Sequence, residues 1–355
     1  MNKQKATHVF FVLSIIAILT LVVGCSGPKV PTSTPAAALP STEVPQATLD
    51  VALVLPLRLG DKSYLDASNE GAMRARDQLG AKITVVENRD PSDFEPALRN
   101  MAESQKDITI AVFFTMIDAL KVVATEYPDL KFAIIDGELD LPNVASVVFK
   151  EQEGSFLVGV VAGMMTETDI VGFVGGMDIP LIRRFGLGFE EGVKYINPDA
   201  KVLWGFVGAW DDPAKGKELS VTQFEQGADI IYAAASKSGL GTIEAAKEKG
   251  KFAIGVDSNQ DWIEPGVVIT SMLKRVDNAV FDQVMRVKEG SFTPGLNVYG
   301  VSNDGVGVTD FSEFRNNGPQ DQVAKLDVVI AKVEEVKQMI IDGSIKVTDY
   351  MEQSQ

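Results

Sequence analysis

Short apolar runs alternate with amphipathic segments along the chain from Leu49 onwards. The apolar runs are typical of strands that are covered on both faces, and we predict strands at 50–55, 83–86, 108–114, 131–135, 144–149, 170–174, 202–206, 230–234, 252–256, 267–270 and 297–301. Helical spacing between them predicts helices at 63–79, 91–105, 117–126, 151–166, 181–195, 214–226, 239–249, 276–289 and 320–342. Two βα series of similar size indicate an α/β fold with parallel sheets and right-handed crossovers.

The predicted architecture is two doubly wound lobes with a ligand cleft between them. We place the first lobe at 49–150, completed by about 258–300, and the second at 151–257, completed by about 301–345. Ligands of open α/β sheets bind outside the carboxyl ends of the strands. The candidate site residues are therefore those that follow strand ends.

The first 24 residues have the pattern of a signal peptide. A short positive segment precedes the apolar run 9–23, whose 15 residues fall short of the ~20 that span a bilayer. The run ends in Leu21-Val22-Val23-Gly24-Cys25, which resembles the lipobox of bacterial lipoproteins. We therefore expect cleavage before Cys25 and a lipid anchor on its thiol. An uncleaved anchor or a plain secretory signal are the alternatives.

Residues 25–48 are predicted to be a tether. Five prolines among Ser, Thr and Ala residues offer little to bury. Such a segment favours the semi-rigid polyproline II conformation and would space the domain from the membrane.

Charge and rare residues exclude several function classes. The formal net charge is −16, with 33 Lys and Arg against 49 Asp and Glu, so we expect no nucleic-acid partner. The single histidine, His8, and the single cysteine, Cys25, both precede the predicted domain. The domain thus lacks the residues of a Cys/His zinc site, a Cys nucleophile or a Ser-His-Asp triad. We expect a binding protein without metal or cofactor; an enzyme that uses carboxylates alone is the less favoured alternative.

Five residues near strand ends are the candidate ligand contacts: Tyr64, Asp118, Trp210, Asp257 and Lys274. Aromatic rings from two lobes can sandwich a flat ring, and carboxylates accept hydrogen bonds from ring N–H groups or sugar hydroxyls. Ordinary packing of the two aromatic residues and helix capping by the two Asp residues are the alternatives.

Several blocks of the chain resemble the basic membrane protein family, the PnrA-like substrate-binding lipoproteins of ABC transporters. The blocks include Asp61-Lys62-Ser63-Tyr64, Phe132-Ala-Ile-Ile-Asp136-Gly137, Val174-Gly175-Gly176-Met177-Asp178-Ile179-Pro180, Asp212-Pro213-Ala214-Lys215-Gly216 and Gly255-Val256-Asp257-Ser258. They occur in the family's order and cover nearly all of residues 50–345.

This resemblance implies a periplasmic-binding-protein fold of type I that closes on a purine nucleoside. Tyr64 and Trp210 match the family's stacking aromatics, Asp257 matches its ribose-binding Asp, Lys274 its Lys, and Asp118 the Asp that meets the base edge. The implied protein is a lipid-anchored, extracytoplasmic monomer that delivers its ligand to a membrane permease.

The chain departs from the family pattern at three places around the implied site. Leu55-Pro56-Leu57-Arg58 replaces an acidic residue and a Gly pair, Ser236-Lys237-Ser238 replaces a Gly-Gly-Thr stretch, and Phe113 replaces a common Gly. Two alternatives therefore remain: a binding protein for another flat or sugar-like small molecule, and a ligand sensor of the same fold.

Overall fold

The computed structural model describes residues 48–353, so the predicted signal peptide 1–24, Cys25 and nearly all of the tether lie outside the described residues. The described chain contains two six-stranded sheets. Their strands are β1 (Asp50–Leu55), β2 (Lys82–Glu87), β3 (Ile108–Val112), β4 (Phe132–Ile135), β5 (Val144–Phe149), β6 (Ile170–Gly175), β7 (Lys201–Phe206), β8 (Ile230–Ala234), β9 (Phe252–Asp257), β10 (Val268–Lys274), β11 (Gly295–Tyr299) and β12 (Val306–Val308).

Helices connect most of these strands. They are α1 (Tyr64–Leu79), α2 (Phe94–Glu103), α3 (Ile117–Glu126), α4 (Glu151–Met165), α5 (Pro180–Ile196), α6 (Pro213–Glu225), α7 (Leu240–Lys249), α8 (Val276–Glu289), α9 (Ser312–Asn317), α10 (Gln320–Val323), α11 (Leu326–Ile341) and α12 (Tyr350–Gln353). None of the helices described here is long and apolar enough to cross a membrane.

The two sheets repeat one topology. The order in the first is β2-β1-β3-β4-β5-β11, with all strands parallel, and the order in the second is β7-β6-β8-β9-β10-β12. Only β12 runs antiparallel among the described strands, against β10. The predicted α/β fold with doubly wound lobes is therefore confirmed. The strand order reverses beside β1 and beside β6, and such reversals are where open sheets bind ligands.

The sheets divide the C-terminal third differently from the predicted boundaries. Residues 258–300 were expected to complete the first lobe, but β10 pairs with β9 in the second sheet. Only β11 joins the first sheet, and α8 packs on α1 there. The chain thus passes between the lobes three times, after β5, after β10 and after β11.

Other differences concern short elements near the C-terminus. The strand predicted at 267–270 continues to Lys274. β12 and α9 were not predicted, since segments of three and six residues carry too little periodicity. The helix predicted at 320–342 is interrupted between α10 and α11, where the amide of Lys325 bonds the carbonyl of Gln322, only three residues back.

Helix α4 is the most buried helix of the second lobe and packs on α5. Two glycines permit this close approach. A Cβ on Gly159 would meet the backbone carbonyl of Phe189, and one on Gly192 would meet that of Phe156. This packing fixes α5, whose first turns face the cleft.

Candidate functional site

A cavity of about 200 Å³ lies between the carboxyl ends of the two sheets. The first lobe lines it with the loops after β1, β2, β3 and β4 and with the start of α1. The second lobe contributes α5, the loops after β7 and β8, and the ends of β9 and β10. The cavity therefore occupies the place at which the sequence predicts a ligand.

Three aromatic rings form one side of the cavity. The ring of Tyr64 lies 5.5 Å from that of Phe113, and Phe113 lies 5.4 Å from Trp210 at an interplanar angle of 88°. Trp210 in turn covers Gly176, where a Cβ would collide with the indole. The structure thus brings Tyr64 and Trp210 to one cavity, with Phe113 between them rather than open space.

Backbone strain is concentrated around the cavity. Phe113, Asp136, Ser236 and Asp257 all have positive φ, at 87°, 62°, 49° and 65°, and all four line the cavity. Non-glycine residues in this region cost about 1–3 kcal/mol each and persist only where the surroundings hold them. The strand ends therefore hold these side chains in orientations that an unstrained turn would not give.

Lys274 is the central charge of the site. Its side chain is 2% exposed, and its Nζ lies 2.5 Å from Oδ2 of Asp136 and 2.9 Å from Oε1 of Glu151. Its ammonium also lies 5.1 Å from the centre of the Tyr64 ring. Burial alone would lower the pKa of Lys274, but these carboxylates and Asp257 outweigh it and raise that pKa. Lys274 is therefore a cation held beside the cavity.

Asp257 is a buried carboxylate at the cavity whose protonation is balanced near neutral pH. Its Oδ2 accepts a hydrogen bond of 2.6 Å from the hydroxyl of Ser63, across the cleft. Burial raises the pKa of Asp257 to about 7, although Lys274 and Ser63 act in the opposite direction. The group can therefore accept or donate a hydrogen bond near neutral pH.

The start of α1 is capped by Asp61 rather than by Ser63. The Asp61 carboxylate accepts the amides of Ser63, Leu65 and Asp66 at 3.0–3.1 Å. It also accepts the hydroxyl of Ser236 from the second lobe at 2.9 Å. The hydroxyl of Ser63 is thereby left to bond Asp257, so the helix start joins the two lobes.

A chain of ion pairs leads from the cavity to the C-terminal segment. Glu151 bonds Lys274 on one side and the guanidinium of Arg184 on the other, at 2.9 Å each. Arg184 also donates two hydrogen bonds, of 2.8 and 2.9 Å, to the carboxylate of Asp349. Burial alone would raise the pKa of Glu151, but Lys274 and Arg184 hold it below its ordinary value. Asp349 is thus electrostatically connected to the cavity lysine.

Four of the five predicted contacts converge on the cavity: Tyr64, Trp210, Asp257 and Lys274. Asp118 does not, because it lies exposed on α3, outside the cavity lining. The first-lobe carboxylate at the cavity is instead Asp136, which follows β4.

Sequence reasoning also missed Phe113 and Phe185 as cavity residues. Asp136 directly follows the strand predicted at 131–135, so the rule that found the other contacts could have found it. Phe113 fell inside the strand predicted at 108–114, which ends at Val112 in the structure. Phe185 lies on α5, and nothing in the sequence indicates which helical face meets the cleft. Among residues 48–353 no group of His, Cys, Asp or Glu side chains is arranged to hold a metal ion.

Comparison with known proteins gives a consistent result. A family model described as "ABC transporter substrate-binding protein PnrA-like" matches residues 48–345. The CD4+ T-cell-stimulating antigen of Listeria monocytogenes is 36% identical over 282 residues, which cover 74% of this chain and 76% of the relative. An uncharacterized lipoprotein of Pyrococcus abyssi is 32% identical, over 93% and 85% of the two chains. Basic membrane protein D of Borreliella burgdorferi is 29% identical, over 84% and 87%.

Solved structures show the same fold. A solute-binding protein of an ABC transporter from Aeropyrum pernix K1 superimposes with a TM-score of 0.77 at 31% identity, covering 85% of this chain and 93% of that one. A periplasmic solute-binding protein from Actinobacillus succinogenes, crystallised with D-allose, gives a TM-score of 0.60 at 15% identity, over 76% and 100% of the two chains. The fold is that of type I periplasmic binding proteins.

Proposed function

The chain belongs to the PnrA-like family of ABC transporter substrate-binding proteins, and we propose that its interlobe cavity captures a purine nucleoside. The family consists of solute-binding proteins rather than enzymes, so the function implied is capture of a small molecule and its delivery to a permease. The finer proposal concerns the ligand.

The aromatic cavity with a charged wall carries this proposal. Tyr64, Phe113 and Trp210 offer ring faces on which a flat base can stack. Lys274, Asp136 and Asp257 offer a cation and carboxylates that suit sugar hydroxyls. This pairing of an apolar slot with convergent polar groups matches the two halves of a nucleoside.

Two buried polar atoms at the cavity support a polar ligand. The hydroxyl of Tyr64 and the carboxylate of Asp136 face each other and interact, but neither the Tyr64 hydroxyl nor Oδ1 of Asp136 makes a hydrogen bond of good geometry among the described residues. Burial and the nearby charge of Asp136 raise the pKa of Tyr64, which keeps its hydroxyl protonated. A ligand hydroxyl or ring nitrogen would satisfy such atoms, and leaving them unpaired is costly.

The mechanism follows from the placement of these groups on both lobes. Tyr64 and Asp136 belong to the first lobe, while Trp210, Asp257 and Lys274 belong to the second. A ligand that contacts both sets stabilises the closed arrangement over an open one, which is a population shift by hinge closure. The three segments that pass between the lobes would form the hinge.

Isothermal titration of the purified protein with adenosine, guanosine and inosine tests the proposal. We expect binding of at least one nucleoside, and Trp210→Ala should weaken it about five- to a hundredfold through lost stacking. Trp262→Ala is the matched control, because Trp262 is 54% exposed and outside the cavity lining. Absence of heat with all three nucleosides at high protein concentration would overturn the proposal.

We further propose that the protein is anchored by a lipid on Cys25 at the extracytoplasmic face and acts as a monomer. The lipobox-like sequence before Cys25 and a relative that is named a lipoprotein support the anchor. Cells labelled with a radioactive fatty acid should incorporate label into the wild-type chain and not into Cys25→Ser. Equal labelling of both chains would contradict the anchor.

A further inference from the structure

The ligand cavity has a charged end. Its lining there includes Asp136, Asp257 and Lys274, which follow β4 or end β9 and β10. These strands lie next to the segments after β5 and β10 that pass between the lobes. Lys274 bonds Asp136 at 2.5 Å, and the hydroxyl of Tyr64 lies beside the same carboxylate. We call this side of the cavity the hinge end.

The opposite end of the cavity is apolar. It is formed by residues that follow β1, β2, β6 and β7. Neighbouring strands lie about 4.8 Å apart, and β1 and β6 are two strands removed from β4 and β9, so about 10 Å or more separates the two ends. We call this side the ring end. Its apolar side chains include Pro56, Leu57, Pro91, Phe94, Leu181 and Trp210.

The polar side chains near the ring end are either exposed or already bonded. Arg89 and Thr115 line the cavity but are exposed, so water solvates them when no ligand is bound. The hydroxyl of Ser236 donates to Asp61 at 2.9 Å. None of these groups is a buried donor or acceptor that waits for a ligand.

The unused hydrogen-bonding capacity of the lining is concentrated at the hinge end. Among the described residues of the lining, the buried polar atoms without a hydrogen bond of good geometry are the Tyr64 hydroxyl and Oδ1 of Asp136. A sugar that bonds these groups lies at the hinge end, and its base extends toward the ring end. The base edge remote from the sugar then meets apolar side chains.

Two of the three departures from the family pattern add apolar surface beside the base. Pro56 and Leu57 form part of the ring end, and Phe113 lies between Tyr64 and Trp210. We propose that the cavity recognises the sugar by hydrogen bonds and the base by apolar contact alone, so that it prefers nucleosides whose bases carry few polar groups. This inference rests on the proposed function and specifies its substrate class.

The number of polar groups on the base sets the expected order of affinity. Unsubstituted purine has no exocyclic polar group, adenine has an amino group, and guanine has a carbonyl, a ring N–H and an amino group. Each such group loses its hydrogen bonds to water when it is buried against apolar side chains, and nothing there replaces them. Purine riboside should therefore bind most tightly and guanosine most weakly.

Titration of the full-length protein with purine riboside, adenosine and guanosine tests the inference. We expect guanosine to bind at least about tenfold more weakly than purine riboside, with adenosine between them. 2′-Deoxyadenosine and 3′-deoxyadenosine probe the hinge end. At least one of them should bind about tenfold or more weakly than adenosine, because a buried polar group loses its partner.

Two variants test whether a side chain bonds the base edge. Arg89→Gln and Thr115→Val should each change the affinities for guanosine and for purine riboside by the same factor. Lys121→Gln is the matched control for the loss of a cation, because Lys121 is exposed on α3 and outside the cavity lining. A variant that weakens the binding of guanosine alone would show that this side chain bonds the base edge, and would overturn the inference.

The outcomes separate this inference from the proposed function. If guanosine binds as tightly as purine riboside or more tightly, the inference is overturned and the nucleoside site stands. If both deoxynucleosides bind as tightly as adenosine, the placement of the sugar at the hinge end is wrong and the inference fails with it. If none of the nucleosides binds, both proposals fail together.

Discussion

Lys274 and Asp136 form a buried ion pair between the two lobes, with 2.5 Å between Nζ and Oδ2. Asp136 follows β4 of the first sheet, and Lys274 ends β10 of the second. Glu151 contacts the same ammonium, so one cation serves two buried carboxylates. The pair therefore belongs both to the ligand site and to the contact that holds the lobes together.

Replacing Lys274 by Met should destabilise the protein strongly. The substitution leaves Asp136 and Glu151 buried with less compensation, and breaking a buried pair in this way costs about 3–5 kcal/mol. Urea unfolding followed by circular dichroism gives the free energy of unfolding. Lys82→Met is the control, because Lys82 is exposed and its pair with Asp50 is worth about 0–1 kcal/mol. A loss below about 1 kcal/mol for Lys274→Met would show that the pair contributes little.

At position 113, unlike most positions, a Gly residue should give a more stable protein than an Ala residue. Its backbone lies at φ 87° and ψ 142°, a region that side chains other than Gly avoid. Phe113→Gly and Phe113→Ala both lose the ring, but only Gly relieves the strain. We expect the Gly variant to be more stable by about 1 kcal/mol. Thermal unfolding of the two variants measures the difference.

Phe114 provides the control for this comparison. It neighbours Phe113 but is outside the positive-φ region, so Ala should be more stable than Gly there. If the Ala variant is more stable than the Gly variant at both positions, the backbone at Phe113 carries no strain.

The rule that ligands bind at strand ends selected four residues that line one cavity in the structure. Tyr64, Trp210, Asp257 and Lys274 converge because the buried apolar runs fix where each strand ends. The rule failed for Asp118, since a position near a strand end does not tell which way a helical side chain points.

Other features depend on tertiary structure and could not be read from the sequence. A phenylalanine carries no sign of positive φ, so the placement of Phe113 between Tyr64 and Trp210 was not predictable. The contribution of Phe185 depends on how α5 packs on α4. The fold itself was easier to predict from the sequence, because strands covered on both faces have continuous apolar sequences.

Asp349 should influence the ligand site from the C-terminal segment. Its carboxylate holds Arg184, which orients Glu151 beside Lys274. Asp349→Ala leaves a largely buried guanidinium with fewer partners, so we expect a loss of about 1–3 kcal/mol in stability. We also expect a several-fold loss of nucleoside affinity, measured by titration at a temperature where the variant is folded.

Asp342→Ala is the matched control for Asp349→Ala. Asp342 is an exposed residue of the same C-terminal region, and its carboxylate accepts a hydrogen bond from the amide of nearby Ser344. It should change neither stability nor affinity measurably. Loss of stability with unchanged affinity in Asp349→Ala would limit the role of Asp349 to holding the C-terminal segment.

Asp257 should make the stability of the protein depend on pH. Burial raises the pKa of Asp257 from 3.8 to about 7, so between these values the folded state binds more protons than the unfolded state. Stability from this group is therefore fully present below about pH 4 and is lost as the pH rises through about 7. Asp257→Asn removes the titration while keeping the shape of the side chain. Relative to this variant, the wild type should lose on the order of 3 kcal/mol between about pH 4 and about pH 8.

The comparison requires urea unfolding of wild type and variant over that pH range, because other buried acids such as Asp61 and Asp136 contribute to both curves. Asp129→Asn is the control, since Asp129 is exposed on the loop before β4 and should leave the pH profile of the wild type unchanged. Parallel profiles of wild type and Asp257→Asn would show that the pKa of Asp257 is the same in the folded and unfolded states. A profile in which only Asp257→Asn is flattened would identify Asp257 as a group that couples the stability of the fold to pH.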